Sequence, residues 1–200
     1  MNTEHKPTFS KTRPLSWSAI SSFEYDPEQW YKRYVLNEKD EASKEMLFGK
    51  EIGKKLETDN LYLPMIPRHA QMEQEFKVVF NGIPLVGYAD SFCSLSKKKL
   101  AEFKTGKKAW DQKRVDEHGQ IDMYLLMNYI TNQVWPEDVE VCLVWMPTQD
   151  NGDFTISFVE PIESNIKIFK TKRTMTQLLA FGARIKRVYK EMEDYCQNHI

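Results

Sequence analysis

From Glu73 onward the apolar residues fall on every second position, with Phe76, Val78 and Phe80 leading into Asn81-Gly82. Asn-Gly tolerates the two positive-φ conformations of a tight hairpin turn, so the chain must fold back on itself there as a second strand from Ile83 to about Cys93. Ser94 to Lys98 reads as another turn, and Leu100 to Lys104 as a third strand. Successive side chains on a strand point to opposite faces, so this stretch fixes which residues share a face. Three adjoining strands exclude an all-helical bundle.

Around these strands the period is helical. Ser16 or Ser18 caps a helix running toward Phe23, and Pro27 suits the start of a second, Glu28 to Val35, on which Trp30 and Tyr34 share a face. Residues 43–59 form a third helix, with Met46, Leu47, Ile52 and Leu56 as buried candidates. Gly49 and Gly53 lie inside it; each costs ~1 kcal/mol relative to alanine, which points to close packing or ligand approach. A helix from about Asp116 to Asn132 follows, then strands Val139 to Trp145 and Phe154 to Val159 around Asn151-Gly152, then a helix from about Ser164 to Gln197. The order α, β-β-β, α, β-β, α predicts an α/β domain, a central mixed sheet flanked by helices. Residues 1–14 read as a flexible arm and 15–200 as a single domain.

The chain has 200 residues, 41% of them hydrophobic, enough for a sizeable core. Its formal net charge of −1 means that binding a polyanion would require a local basic patch. Cys93, Cys142 and Cys196 are odd in number and lack CxxC spacing, which argues against a disulfide framework or a zinc site and fits a reducing, cytoplasmic setting. His5, His69, His118 and His199 lack metal-motif spacing and read as surface or core residues. No apolar run approaches the ~20 residues of a membrane span.

The chemistry concentrates on the second and third strands. Glu102 and Lys104 share one face, ~7 Å apart, and hairpin pairing can place Asp90 opposite Glu102. Two carboxylates, a backbone carbonyl and waters suit Mg²⁺, which prefers oxygen ligands and retains water. A lysine beside them can orient or deprotonate water or stabilise a phosphorane-like transition state; as a base it would need a lowered pKa. Gln120 and Tyr124, at i and i+4 on the next helix, can reach one ligand together. An ordinary ion pair on a solvated strand, with a solvated Gln and a core Tyr, is the plainer alternative.

Gly87-Tyr88-Ala89-Asp90, Glu102-Phe103-Lys104-Thr105-Gly106 and Gln120-x-x-x-Tyr124, in that order, resemble the PD-(D/E)XK nuclease superfamily in its RecB-like branch. Leu15-Ser16-Trp17-Ser18 through Tyr25-Asp26-Pro27 and Tyr31-x-x-Tyr34 are similar to that branch's opening helices. The resemblance covers roughly residues 15–145. It implies a restriction-endonuclease-like core and a Mg²⁺- or Mn²⁺-dependent DNA nuclease, with Asp90 and Glu102 as metal ligands, Lys104 as the catalytic lysine, and Gln120 and Tyr124 ordering the site or contacting DNA. The segment Gly49 to Glu57 is similar to the branch's first motif, but Gly53 stands where a histidine is usual. Glu57, or Glu51, is a substitute ligand on that helix; Glu75, or Glu73, is one from the neighbouring strand. The cysteines do not match the iron–sulfur members, so no cluster is expected.

Between Asn165 and Lys190 lie Lys167, Lys170, Lys172, Arg173, Arg184, Lys186, Arg187 and Lys190, and no acid. Lys107, Lys108 and Trp110 follow the proposed site. Lys107, Lys108, Lys170 and Arg173 are expected phosphate contacts, and Trp110 a base-stacking platform or a packed core residue. The expected function is an exonuclease acting on DNA ends or single strands in recombination, repair or phage DNA processing, alone, as a homo-oligomer or beside a recombination protein. The alternatives are an inactive DNA-binding module of the same fold and an endonuclease.

Overall fold

The computed structural model describes residues 13–38, 41–152 and 155–199, so most of the expected N-terminal arm, together with Phe154, lies outside the described residues. Helices α1 (Trp17–Tyr25), α2 (Pro27–Tyr34) and α3 (Lys44–Thr58) precede strands β1 (Gln71–Phe80), β2 (Ile83–Phe92) and β3 (Lys99–Gly106). Helices α4 (Gln112–Asp116) and α5 (Gly119–Asn132), strands β4 (Glu140–Asp150) and β5 (Ile156–Phe158), helix α6 (Ile162–Asn165), strand β6 (Lys167–Thr171) and helix α7 (Met175–Gln197) complete the order. Side chains close each of the first three helices at its start, through Ser16, Asp26 and Ser43.

The sheet is mixed. β1 and β2 form the hairpin around Asn81-Gly82, β3 and β4 run parallel, and both β5 and β6 pair antiparallel with β4. One face carries Leu85, Leu143 and Trp145 against α1, α5 and α7; Ile121, Met123, Leu125 and Met127 of α5 are all buried there. The other face packs Val144 and Met146 against Ile52 and Leu56 of α3 and Phe158. The alternation along β4 is what a strand covered on both faces demands.

Two expectations about the helices need correction. The segment from Ser164 is not one helix: β6 interrupts it and pairs with β4 from Val141 to Trp145. A new helix then begins at a capping box, in which Thr174 and Gln177 bond each other's backbone N–H groups. The helix expected from about Asp116 begins at Gly119, as α5, and a separate short helix, α4, ends at Asp116.

β2 and β3 pair only at Ser91↔Ala101 and Phe92↔Leu100 and then diverge. Leu15 bridges to β2 further along, its N–H donating to Pro84 O (2.8 Å) and its carbonyl accepting from Val86 N (3.0 Å). This fork between β2 and β3 positions the site.

Candidate active site

At the fork, the Asp90 side chain replaces the missing backbone partner: its Oδ2 accepts the Phe103 N–H at 2.6 Å. Glu102 and Lys104 project toward α5, as their shared strand parity requires. Glu102 is 1% exposed; its Oε1 accepts from Lys104 Nζ at 2.6 Å, while its buried Oε2 has no hydrogen-bond partner. Lys104 also donates to Gln120 Oε1 at 2.8 Å, and Gln120 Nε2 donates to Tyr124 Oη at 2.6 Å. Tyr124 in turn donates to the Tyr88 carbonyl, tying α5 to β2. Gly87 lets this happen: a Cβ there would stand 2.5 Å from Met127 and 2.8 Å from the Tyr124 ring.

Burial and like charge shape the electrostatics. Burial, then the neighbouring Glu102 carboxylate, hold the Asp90 carboxyl well above its ordinary range. Burial also raises Glu102, against the pull of Lys104. Burial is the largest influence and would lower Lys104, but the charge and hydrogen bond of Glu102, with the charge of Asp90, together outweigh it and keep the ammonium protonated past its ordinary value. Burial, then the charge of Glu102, raise the Tyr124 phenol, leaving it a neutral donor. Two carboxyl groups close enough to share a proton, with a buried Glu102 oxygen that no amine, amide or hydroxyl reaches, form a site suited to a cation. Among the described residues no three His, Cys, Asp or Glu side chains already converge as a complete metal cage. A cation here would need backbone oxygen or water to complete its shell.

A cavity of about 400 Å³ opens between α3 and the fork, lined by Asp90, Lys104, Thr105, Glu73, Lys50 and Gly53 among others. Of the substitute acids, Glu57 pairs with Lys54 (3.0 Å) and Glu51 with Lys55 (2.7 Å) on the solvated side of α3. Glu75 points away, bonded to Lys77 and the Tyr88 hydroxyl, both at 2.7 Å. Glu73 is the acid that reaches the cavity, at a positive φ of 52° that non-glycine residues rarely adopt.

The basic candidates divide. Lys108 and Lys170 are exposed. Lys107 is paired with Asp150 at 3.2 Å. Trp110 is a packed residue, 9% exposed, with the Arg114 guanidinium 3.8 Å from its ring centroid and His118 against its edge. Arg173 is not available to a phosphate: it is 2% exposed and bonds Asp122, Thr171 and the carbonyls of Val115 and Lys172. Sequence reading placed it on a solvated helix face, whereas it sits between β6 and α7 and ties both to α5.

Solved structures with this arrangement of helices and strands include three that are exonucleases by name. A candidate exonuclease from Eubacterium rectale superposes over the whole chain and 88% of its own length, with a TM-score of 0.62 at 10% identity. An alkaline exonuclease from Laribacter hongkongensis matches 92% of this chain and 90% of its own, TM-score 0.54 at 10% identity. The fold is that of these exonucleases. A phage-related exonuclease from Haemophilus somnus 129PT shares it as well, over 90% of this chain and 80% of its own, TM-score 0.53 at 12% identity. No protein-family profile matches the sequence, and no curated protein matches it. With a shared fold and so little shared sequence, the chemistry must be argued from the side chains at the fork.

Proposed function

We propose that this protein is a metal-dependent DNA nuclease that works from strand ends, in recombination, repair or phage DNA processing. The observation that carries this reading is Glu102, buried beside Asp90 with one oxygen on Lys104 and the other without a partner. Asp90 and Glu102 would hold Mg²⁺ or Mn²⁺. When bound, the cation supplies charge neutralisation at the phosphate and a lowered pKa for the attacking water.

The chain's own groups do the rest. Lys104, kept protonated by Glu102, serves as a fixed positive charge for the phosphate oxygens as negative charge builds on them, rather than as a base. Gln120 holds that ammonium in place and is itself held by Tyr124, so α5 orients the lysine. Water adds to phosphorus as one ester oxygen departs, and the proton that the attacking water loses passes through the cavity's solvent to the departing oxygen. Gly53, which offers no ligand, favours a second reading, a DNA-binding module that does not cut.

Incubation with end-labelled linear DNA and closed circular DNA, in Mg²⁺, Mn²⁺ or EDTA, beside Lys104→Ala, separates these readings. Metal-dependent loss of the linear form alone is expected. Binding without cleavage would move the conclusion to the binding module, and discrete fragments from the circle to an endonuclease.

A further inference from the structure

We propose that the face of α3 formed by Met46, Gly49, Lys50 and Gly53 binds an unpaired nucleic-acid strand, with Lys50 holding a phosphate and Met46 packing against the adjoining sugar or base. The proposal rests on the nuclease reading and adds the substrate form and the residues that hold it.

Positions 46, 49, 50 and 53 follow the i, i+3, i+4, i+7 spacing of one helical face. All four line the cavity that contains Asp90 and Lys104. The cavity wall carries three carboxylates, Glu45, Glu73 and Asp90, against two ammonium groups, Lys50 and Lys104. Lys104 is committed to Glu102 and Gln120. Lys50 is exposed and has no ion-pair partner among the described residues, so it is the cation a phosphate entering this wall would meet uncommitted. The two glycines shape the groove. A Cβ at Gly49 would stand 3.0 Å from Thr105 Oγ1, so the helix is pressed close to β3 there, while a Cβ at Gly53 would meet nothing within 4 Å. Met46, 57% exposed at the mouth, is an unbranched, polarizable side chain able to fit an irregular apolar surface.

The form of the strand follows from depth. Asp90 is half-buried in the wall of a cavity that holds about 400 Å³. A cavity of this size has room for one strand, which can bend into it freely, whereas a duplex is stiffened by its second strand.

The test is fluorescence anisotropy of a labelled single-stranded oligonucleotide in Ca²⁺, titrated across salt concentrations. Lys50→Ala is expected to weaken binding about tenfold, as loss of one charge-assisted contact does. It should also reduce the salt slope by ~0.7, the value of one single-strand phosphate contact. Lys50→Arg should keep the parental slope, and Met46→Ala should weaken binding without changing it. Lys54→Ala removes the same charge one turn along, from a lysine that pairs with Glu57 and does not line the cavity; it should leave slope and affinity unchanged. A parental slope in Lys50→Ala, or an equal loss in Lys54→Ala, overturns the proposal. If the parent binds but never cuts in Mn²⁺, the nuclease reading fails while the slopes still decide Lys50; if the parent binds no oligonucleotide, both fail.

Discussion

Glu102–Lys104 and Asp122–Arg173 are both buried ion pairs, and α5 touches both, through Gln120 in the first and Asp122 itself in the second. Their surroundings differ. Arg173 has all its donor groups engaged, with Asp122 on Nε, Thr171 Oγ1 (2.6 Å) and the Lys172 carbonyl (3.0 Å) on Nη1, and the Val115 carbonyl (3.0 Å) on Nη2. Glu102 keeps one oxygen unpartnered, and Lys104 faces a cavity. A buried charge costs several kcal/mol unless it is paired and its remaining valences are satisfied. The saturated pair is a brace, and the unsaturated one holds its cost in reserve for something that binds.

The largest expected effect breaks the brace. Arg173→Ala leaves the largely buried Asp122 without its bonded partner and should cost about 3 kcal/mol, read as a fall in the denaturant midpoint. Cleavage per folded molecule should stay parental. Weakened DNA binding at full stability would instead return Arg173 to the interface and dissolve the comparison.

Lys104→Ala should show the reverse pattern. Cleavage should fall by about 10²–10³, the usual cost of losing one group aimed at developing charge. Stability should drop far less than in Arg173→Ala, because the cavity admits water and Glu102, already raised by burial, can take up a proton. Single-turnover rates together with thermal melts check this; a variant that melts early and cuts normally would make the pair structural.

His118 tests whether α5 joins the two pairs. It caps the start of α5, with its ring against Trp17 and Trp110. Burial, followed by the charge of Lys104, pushes its pKa down to about 4. The unfolded chain takes up a proton near 6.5 while the folded one resists, so stability is full above pH 6.5 and falls as pH drops toward 4. The loss should approach about 2–3 kcal/mol, and His118→Gln should flatten it. A parental pH profile in that variant would place the acid sensitivity elsewhere.

The legibility of the molecule divides along similar lines. The hairpin, the fork residues Asp90, Glu102 and Lys104, and the Gln120/Tyr124 pair could be read because period and turn chemistry fix them locally. β6 was hidden because Ile166 to Thr171 is short, lysine-rich and followed by a strong helix, and only its pairing with β4 makes it a strand. Arg173 was misplaced for the same reason: a charge run looks solvated until the partner that buries it, Asp122, is known. Glu75 was preferred to Glu73, and the right choice needed the course of β1 around a positive-φ residue.

The smallest effect concerns Gly53, the position where sequence suggested a lost ligand. A side chain there would have open space and would face the cavity that Asp90 and Glu73 line. Gly53→His should therefore fold and gain a few tenths of a kcal/mol from helix propensity alone. If the cavity is a cation site, the added imidazole should also strengthen Mn²⁺ binding several-fold in calorimetry. Around Arg173 each guanidinium nitrogen is already bonded, so an added ligand there has no comparable vacancy to fill. A destabilised Gly53→His would mean that the glycine is needed for backbone approach, and unchanged Mn²⁺ affinity that the bound ion sits beyond the reach of α3.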